Sequence, residues 1–305
     1  MNRIRRALAR TPANRRPLRL ALAILLALAL MLVLAGTAFA DALTPESGGS
    51  PNADKIDNLY KLILAVAIVI FIGVEGALFY SLFKFRARKG AVPAQIRGNT
   101  RLEIGWTVGA ALILVVLAVF TFIELPGIRN PPNSGPDGLR LAKGTLLASG
   151  ASRRLPPNGK SLNVCVNGQQ YIWRYTYAND CGNAPLNSVF SYTEMVVPVD
   201  TTVTLDINAQ DVDHSWWIPK LGGKFDAIPG YTNHTWFKIP GKWAGHVFHG
   251  QCAELCGRNH ANMIAQVKAV TPAEYERWLA QRKADIAAAD KAAAQERKRV
   301  QQELP

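Results

Sequence analysis

The sequence predicts an α-helical membrane hairpin, then an all-β sandwich or barrel, then a C-terminal helix. Three observations predict it. The first 125 or so of 305 residues hold three long apolar runs. Residues 161–270 alternate between apolar and polar side chains in short runs broken by Gly, Pro, Asn and Asp. From Thr271 the composition turns to Ala, Lys, Arg and Glu.

Residues 1–19 carry seven arginines, and Leu20 to Ala40 is an unbroken run of apolar or small residues ending Ala38, Phe39, Ala40. This reads as a secretory signal with a small-residue cleavage site, or as an additional N-terminal span, since the run is long for a signal. Either leaves the following chain outside, with residues 41–57 as a short exported linker. Residues 58–126 form the hairpin. Its two apolar runs, Leu62 to Phe83 and Ile104 to Ile123, are each long enough to cross about 30 Å of hydrocarbon. Between them Lys84, Arg86, Arg88, Lys89, Arg97 and Arg101 occur with no acid, which marks this short loop as cytoplasmic. Glu75 lies deep in the first run, where a charge faces a partner helix, a water-filled path or a packing contact. The sequence does not choose among these.

A formal net charge of +13 raises nucleic acid as a partner until its location is checked. Residues 127–280 hold 14 Lys and Arg against 11 Asp and Glu, so the excess belongs to the N-terminus and the hairpin loop. The charge reports membrane topology, not nucleic-acid binding. Residues 127–160 read as an irregular linker rich in Pro, Gly, Asn and Arg. Eight strand-like runs then occupy 161–270, at a spacing that argues for an antiparallel sandwich or barrel. Thr271, Pro272 and Glu274 supply an N-cap, a first-turn proline and a capping-box acid, so residues 271–305 read as a solvated helix.

The chemistry is concentrated between His249 and Met263, where Cys252, Cys256, His260 and Met263 fall within twelve residues. A Cys252–Cys256 disulfide is one reading for an exported chain. Zinc held by two Cys and two His is another. Neither uses Met263, whereas thiolate and thioether are soft donors that suit copper. A loop with one Cys, one His and one Met resembles a blue-copper site; a second thiolate lets two bridging sulfurs hold two coppers, each completed by an imidazole. The second imidazole must arrive from another strand. His214, in the run from Asp211 to Trp217, has the strongest claim, and His234, His246 and His249 are its rivals.

With the loop, the His214 strand, the Lys224 to Gly230 segment and two preceding spans together, residues 58–282 resemble subunit II of cytochrome c oxidase. That resemblance implies a helical hairpin followed by a cupredoxin-like barrel carrying the dinuclear copper centre CuA. It implies bridging sulfurs from Cys252 and Cys256, imidazoles from His214 and His260, the thioether of Met263 and the main-chain carbonyl of Glu254. The Glu254 side chain would face a magnesium site shared with the catalytic subunit. Leu102 to Thr107 is similar to a family segment whose glutamate, here Glu103, lies at the mouth of a proton-uptake path; a helix-end glutamate is the plain alternative. In Tyr171, Trp173, Tyr175 and Tyr177 the aromatics fall on alternate positions and share a strand face. Many relatives place tryptophan at position 171, where electrons arrive, so Tyr171 and Trp173 are the candidates here and core packing is the alternative. Cys165 and Cys181, left after the copper ligands are assigned, are a candidate exported disulfide.

The expected function is therefore electron uptake from cytochrome c or a small copper protein, and delivery to haem in subunit I, where oxygen is reduced to water with proton translocation. The expected location is a bacterial-type plasma membrane with the copper domain outside. A copper-free quinol-oxidase subunit II, a nitrous-oxide reductase and an exported copper chaperone are the rival classes. Retention of all six ligand positions weighs against the first, the absence of room for a further large domain against the second, and the two spans against the third. No Cys, Cys, His haem signature occurs, which excludes a fused cytochrome c.

Overall fold

The computed structural model describes residues 43–87, 90, 92, 95, 97–135, 155–182 and 188–303. The segment read as a signal or additional span, residues 1–40, lies outside the described residues, as does 136–154 of the linker. Among the described residues two long helices come first: α1, Pro51–Lys84, and α2, Thr100–Arg129. Helix α1 starts inside the stretch read as linker, because Ser50 is extended at the N-cap, Pro51 presets the first turn and Asp54 sits in it. At about 1.5 Å per residue its 34 residues exceed the hydrocarbon thickness. The first turns therefore stand clear of the bilayer, and it is there that Asn52, Ala53 and Asp57 are buried. Asn99 caps α2 by accepting from the Leu102 amide at 3.2 Å, and α2 runs on past Pro126 to Arg129. Lys55 pairs with Glu124 at 3.0 Å, joining the exported ends of the two helices. Both helices are long and apolar enough to cross a membrane.

Ten strands follow: β1 Leu162–Gln169, β2 Ile172–Thr176, β3 Phe190–Tyr192, β4 Glu194–Pro198, β5 Thr202–Ala209, β6 His214–Trp217, β7 Phe225–Ala227, β8 Asn233–Lys238, β9 Val247–Cys252 and β10 Ile264–Val270. They form two five-stranded sheets in the orders β3-β2-β1-β5-β8 and β4-β10-β9-β6-β7. The antiparallel expectation needs correcting. β1 pairs with β5, and β10 with β4, in parallel. Alternation fixes which side chains face inward but carries no information on strand order, so parallel pairs joined by long crossovers were not visible in it. The three-residue β7 was too short to show as a run.

One core lies between the sheets, with Val164, Val166, Leu205 and Ile207 from the first and Met195, Val197, Phe248 and Val267 from the second all fully or almost fully buried. Trp216 stacks on Phe237 and its indole N–H donates to the Tyr175 hydroxyl at 3.2 Å. Burial pushes the Tyr175 phenol well above its ordinary range, so it stays a neutral hydrogen-bonding group.

The domain is keyed to the hairpin through backbone groups that would otherwise lack partners. β8 is an edge strand, and its outward Trp236 carbonyl accepts from Asn52 Nδ2 at 2.9 Å while the Lys238 amide donates to Ser50 Oγ at 3.0 Å. The Trp236 indole donates to the Ile128 carbonyl in the last turn of α2, and the Trp243 indole to the Gly48 carbonyl just ahead of α1. At the other end Thr271 and Glu274 exchange hydrogen bonds in a capping box that starts α3, Pro272–Glu303. Tyr275, Trp278 and Leu279 dock that helix on Tyr177, Val196 and Val270.

Replacing Tyr175 with Phe removes the hydroxyl that accepts from the buried Trp216 N–H. The expected cost is about 1–3 kcal/mol, read as a lowered midpoint of thermal unfolding.

Candidate metal centre

β6 and β9 are neighbours, with Trp216 opposite Cys252. This register brings the first residue of β6, His214, to the mouth of the loop that follows β9. The Ala253 amide donates to the Ser215 carbonyl at 2.8 Å, and the Cys252 amide to the Met263 carbonyl at 2.9 Å, so the loop is closed at its base like a hairpin. A single 3₁₀ turn, His260–Asn262, leads into Met263 and β10.

Within this frame the donor atoms divide into two halves. Cys252 Sγ lies 3.8 Å from His214 Nδ1 and 3.3 Å from the Glu254 carbonyl oxygen. Cys256 Sγ lies 3.6 Å from His260 Nδ1 and 3.9 Å from Met263 Sδ. The two sulfurs are 3.9 Å apart and unbonded. A disulfide needs about 2.05 Å, so this pair is a dithiol. His214, Cys252 and Cys256 place one donor atom each within 4.8 Å of one another, and His260 Nδ1 adjoins Cys256. The thiolate, imidazole and thioether donor types suit a soft metal such as copper.

Electrostatics complete the site. His214, Cys252, Cys256 and Met263 are buried, while His260 is partly exposed. His214 Nε2 lies 2.9 Å from Asp211 Oδ1. Desolvation raises the Asp211 carboxyl, but hydrogen bonds from the Gln170 amide, the His214 ring and the Val212 amide outweigh it and hold Asp211 below the usual carboxylate range. An ionised Asp211 accepts from Nε2–H, which leaves the lone pair on Nδ1 facing Cys252. Burial, then the neighbouring Cys252, pushes the Cys256 thiol up to about 11.

The remaining histidines stand elsewhere. His234 Nδ1 pairs with Asp206 across β5 and β8 at 2.7 Å. His246 packs with Trp243 and Phe248, and His249 is exposed beside Gln266. Trp173 is fully buried, with its ring edge against His214, and cannot meet a docked protein; it shares its inward face with Tyr175. Alternation placed these aromatics on one face without showing that the face is the core. Tyr171 is partly exposed, and a methyl group at Gly257 would come within 2.6 Å of its hydroxyl. Cys165 and Cys181 are joined in a disulfide. Glu103 is exposed in the first turn of α2 and accepts from the Asn99 amide at 3.3 Å, a capping contact, and Glu75 is partly exposed on α1. Sequence reasoning gave no role to Asp211 or Gln170. An acid three residues before a ligand histidine was the available signal for Asp211; nothing local marks Gln170.

Gly168 faces the His214 ring so closely that a Cβ would sit 2.9 Å from Cδ2. Gly168→Ala is expected to displace the ring and destabilise the domain by about 1–3 kcal/mol, read as a lowered midpoint of thermal unfolding.

Comparison with known proteins agrees in both halves of the chain. Residues 37–123 match the family described as cytochrome C oxidase subunit II, transmembrane domain, and residues 183–270 match cytochrome C oxidase subunit II, periplasmic domain. Cytochrome c oxidase subunit 2 of Alkalihalophilus pseudofirmus is 33% identical over 84% of this chain, a match that spans 66% of that relative's length. A solved periplasmic domain of subunit II of cytochrome oxidase from Bradyrhizobium japonicum is 32% identical, with 42% of this chain and 97% of that chain covered at a TM-score of 0.37. Cytochrome c oxidase subunit 2 of Cereibacter sphaeroides is 30% identical over 78% of this chain and 81% of its own length. With such a match running through both spans and the β-domain, this chain belongs to the cytochrome c oxidase subunit II family.

Proposed function

We propose that this chain is the electron-accepting subunit of a terminal haem-copper oxidase. One observation carries the reading: two buried, unbonded thiols 3.9 Å apart, each with its own imidazole at 3.6–3.8 Å. Cys252, Cys256, His214, His260, Met263 and the Glu254 carbonyl would hold a dinuclear copper centre. Held there, copper would supply a one-electron carrier.

The protein's own part is to fix the ligands, exclude water and present an edge to the donor. The buried face of His214 and both sulfurs supply the dry interior. Tyr171 is the better candidate for receiving electrons, because it is partly exposed beside the ligand loop whereas Trp173 is enclosed. The donor would be cytochrome c or a small copper protein, and the acceptor haem in subunit I, where oxygen is reduced to water and protons are translocated. Glu254 is exposed, which suits a carboxylate that meets magnesium at the boundary with subunit I. Glu103, at the loop end of α2, would lie by a proton path there. The basic loop between the spans orients the β-domain to the outside of a bacterial plasma membrane.

Full-length protein purified from membranes is expected to hold two coppers per chain with one unpaired electron shared between them in electron paramagnetic resonance. Cys252→Ser is expected to lose that signature and donor-driven turnover while the chain stays in the membrane. A normal spectrum in that variant would refute the assignment. Metal loading should also release protons, since the Cys256 thiol, pushed up to about 11, is protonated in the metal-free protein at neutral pH. Below pH 11 the apparent copper affinity is expected to rise with pH, checked by competition titration and by proton release into weakly buffered solution.

A further inference from the structure

Three loops that are distant in sequence meet at the solvent-facing rim of the metal centre: the β1–β2 turn, the segment entering β6 and the ligand loop after β9. The Gln210 amide donates to the Gly168 carbonyl at 3.0 Å, which fixes the first two together. Asp211 then accepts from three groups, the Val212 amide at 2.7 Å among them. Its Oδ1 takes the His214 Nε2–H at 2.9 Å and its Oδ2 takes the Gln170 backbone N–H at 2.7 Å. The Gln170 side chain reaches on, donating from Nε2 to the Cys256 carbonyl at 2.7 Å. Gly257 leaves the room for this, as a Cβ there would sit 3.1 Å from Gln170 Nε2.

We propose that Asp211 and Gln170 form a strap that ties the His214–Cys252 half of the centre to the Cys256–His260 half, making both positioning residues for the electron-accepting site. The inference rests on the copper reading above. Its physical basis is that the two halves are carried by different chain segments. His214 rides on β6, whereas Cys256 and His260 ride on a loop with no strand partner of its own. The backbone bonds at the base of the loop fix Cys252 and Met263 but leave Cys256 to be held from outside. The strap supplies that hold, and it couples the orientation of the His214 ring to the position of the Cys256 backbone. Hydrogen-bonded partners of ligating groups set ring orientation and tune the metal, and groups joined in one network respond non-additively to substitution.

Asp211 and Gln170 are themselves exposed, so isosteric changes leave the core intact. Gln170→Glu replaces the donor to Cys256 with an acceptor and keeps the backbone bond to Asp211. Asp211→Asn keeps an oxygen for His214 and loses the acceptor for Gln170. The test uses the full-length chain: wild type, the two single variants and the double variant, compared by copper content, copper hyperfine pattern and reduction potential. The expected result is that each single variant shifts both hyperfine pattern and potential, and that the double variant shifts them by less than the sum of the two. A variant that no longer holds two coppers, while its metal-free form melts at the wild-type temperature, also supports the strap. Single variants that overlay the wild type, or shifts that simply add, overturn it. Wild-type protein without a dinuclear signal would instead overturn the copper reading itself, so the two failures are told apart by the first sample measured.

Discussion

Two buried sulfurs held 3.9 Å apart without a bond set the requirement that the rest of the β-domain meets. Thiols four residues apart on a free loop in an oxidising compartment would close on each other. Here the chain around Cys252 is pinned. Cys252 is the last residue of β9 and is paired with Trp216, its amide is bound by Met263, and the next amide is bound by Ser215. The Cys252 side of the loop is therefore held by the sheet, and the two sulfurs stand 3.9 Å apart. The second cysteine pair is the contrast. Cys165 lies on β1 and Cys181 in the loop beyond β2, and there the backbone brings the sulfurs into a disulfide.

A dry pair of thiols also needs a second wall, which the other sheet provides. Strand β1 passes behind His214 at Gly168, where no Cβ would fit, and Trp173 on β2 lies edge-on to the same ring. These contacts bury His214 completely while leaving Nε2 to Asp211. Parallel pairing of β1 with β5 and of β10 with β4 is what places these residues opposite the loop, because it lets strands far apart in sequence lie side by side.

Much of the candidate site was legible in the chain because it is local: Cys252, Cys256, His260 and Met263 lie within twelve residues, and residue type and spacing group them, whereas the Glu254 carbonyl followed only from the family resemblance. His214 was reachable because a second imidazole had to come from a strand-like run, and few histidines compete. Gln170 was not legible, since its role depends on a turn some 86 residues from Cys256 arriving at the rim. Trp173 shows a different limit. A period of two says that Tyr171, Trp173 and Tyr175 share a face, yet whether that face is core or surface is decided by which sheet packs across it. The same holds for the fold. Strand positions were readable from alternation, while pairing order and the early start of α1 at Pro51 follow from tertiary contacts and a cap.

The junction between hairpin and β-domain bears on the same requirement. A domain hung from two helices by a flexible connection would present its metal centre to a membrane partner at no fixed height. Instead, side chains at the start of α1 bind the open edge of β8, and two indoles close carbonyls near the ends of the hairpin. Each of these bonds satisfies a backbone group that would otherwise be unpaired at a helix terminus or a sheet edge, so breaking one carries the penalty of an orphaned polar group as well as the loss of a contact. The Lys55–Glu124 pair joins the two helices nearby, so hairpin and sheet edge are linked at several points. These bonds set the height of the ligand loop over the hairpin, through the β8 sheet and the core it shares with the sheet that carries β6 and β9.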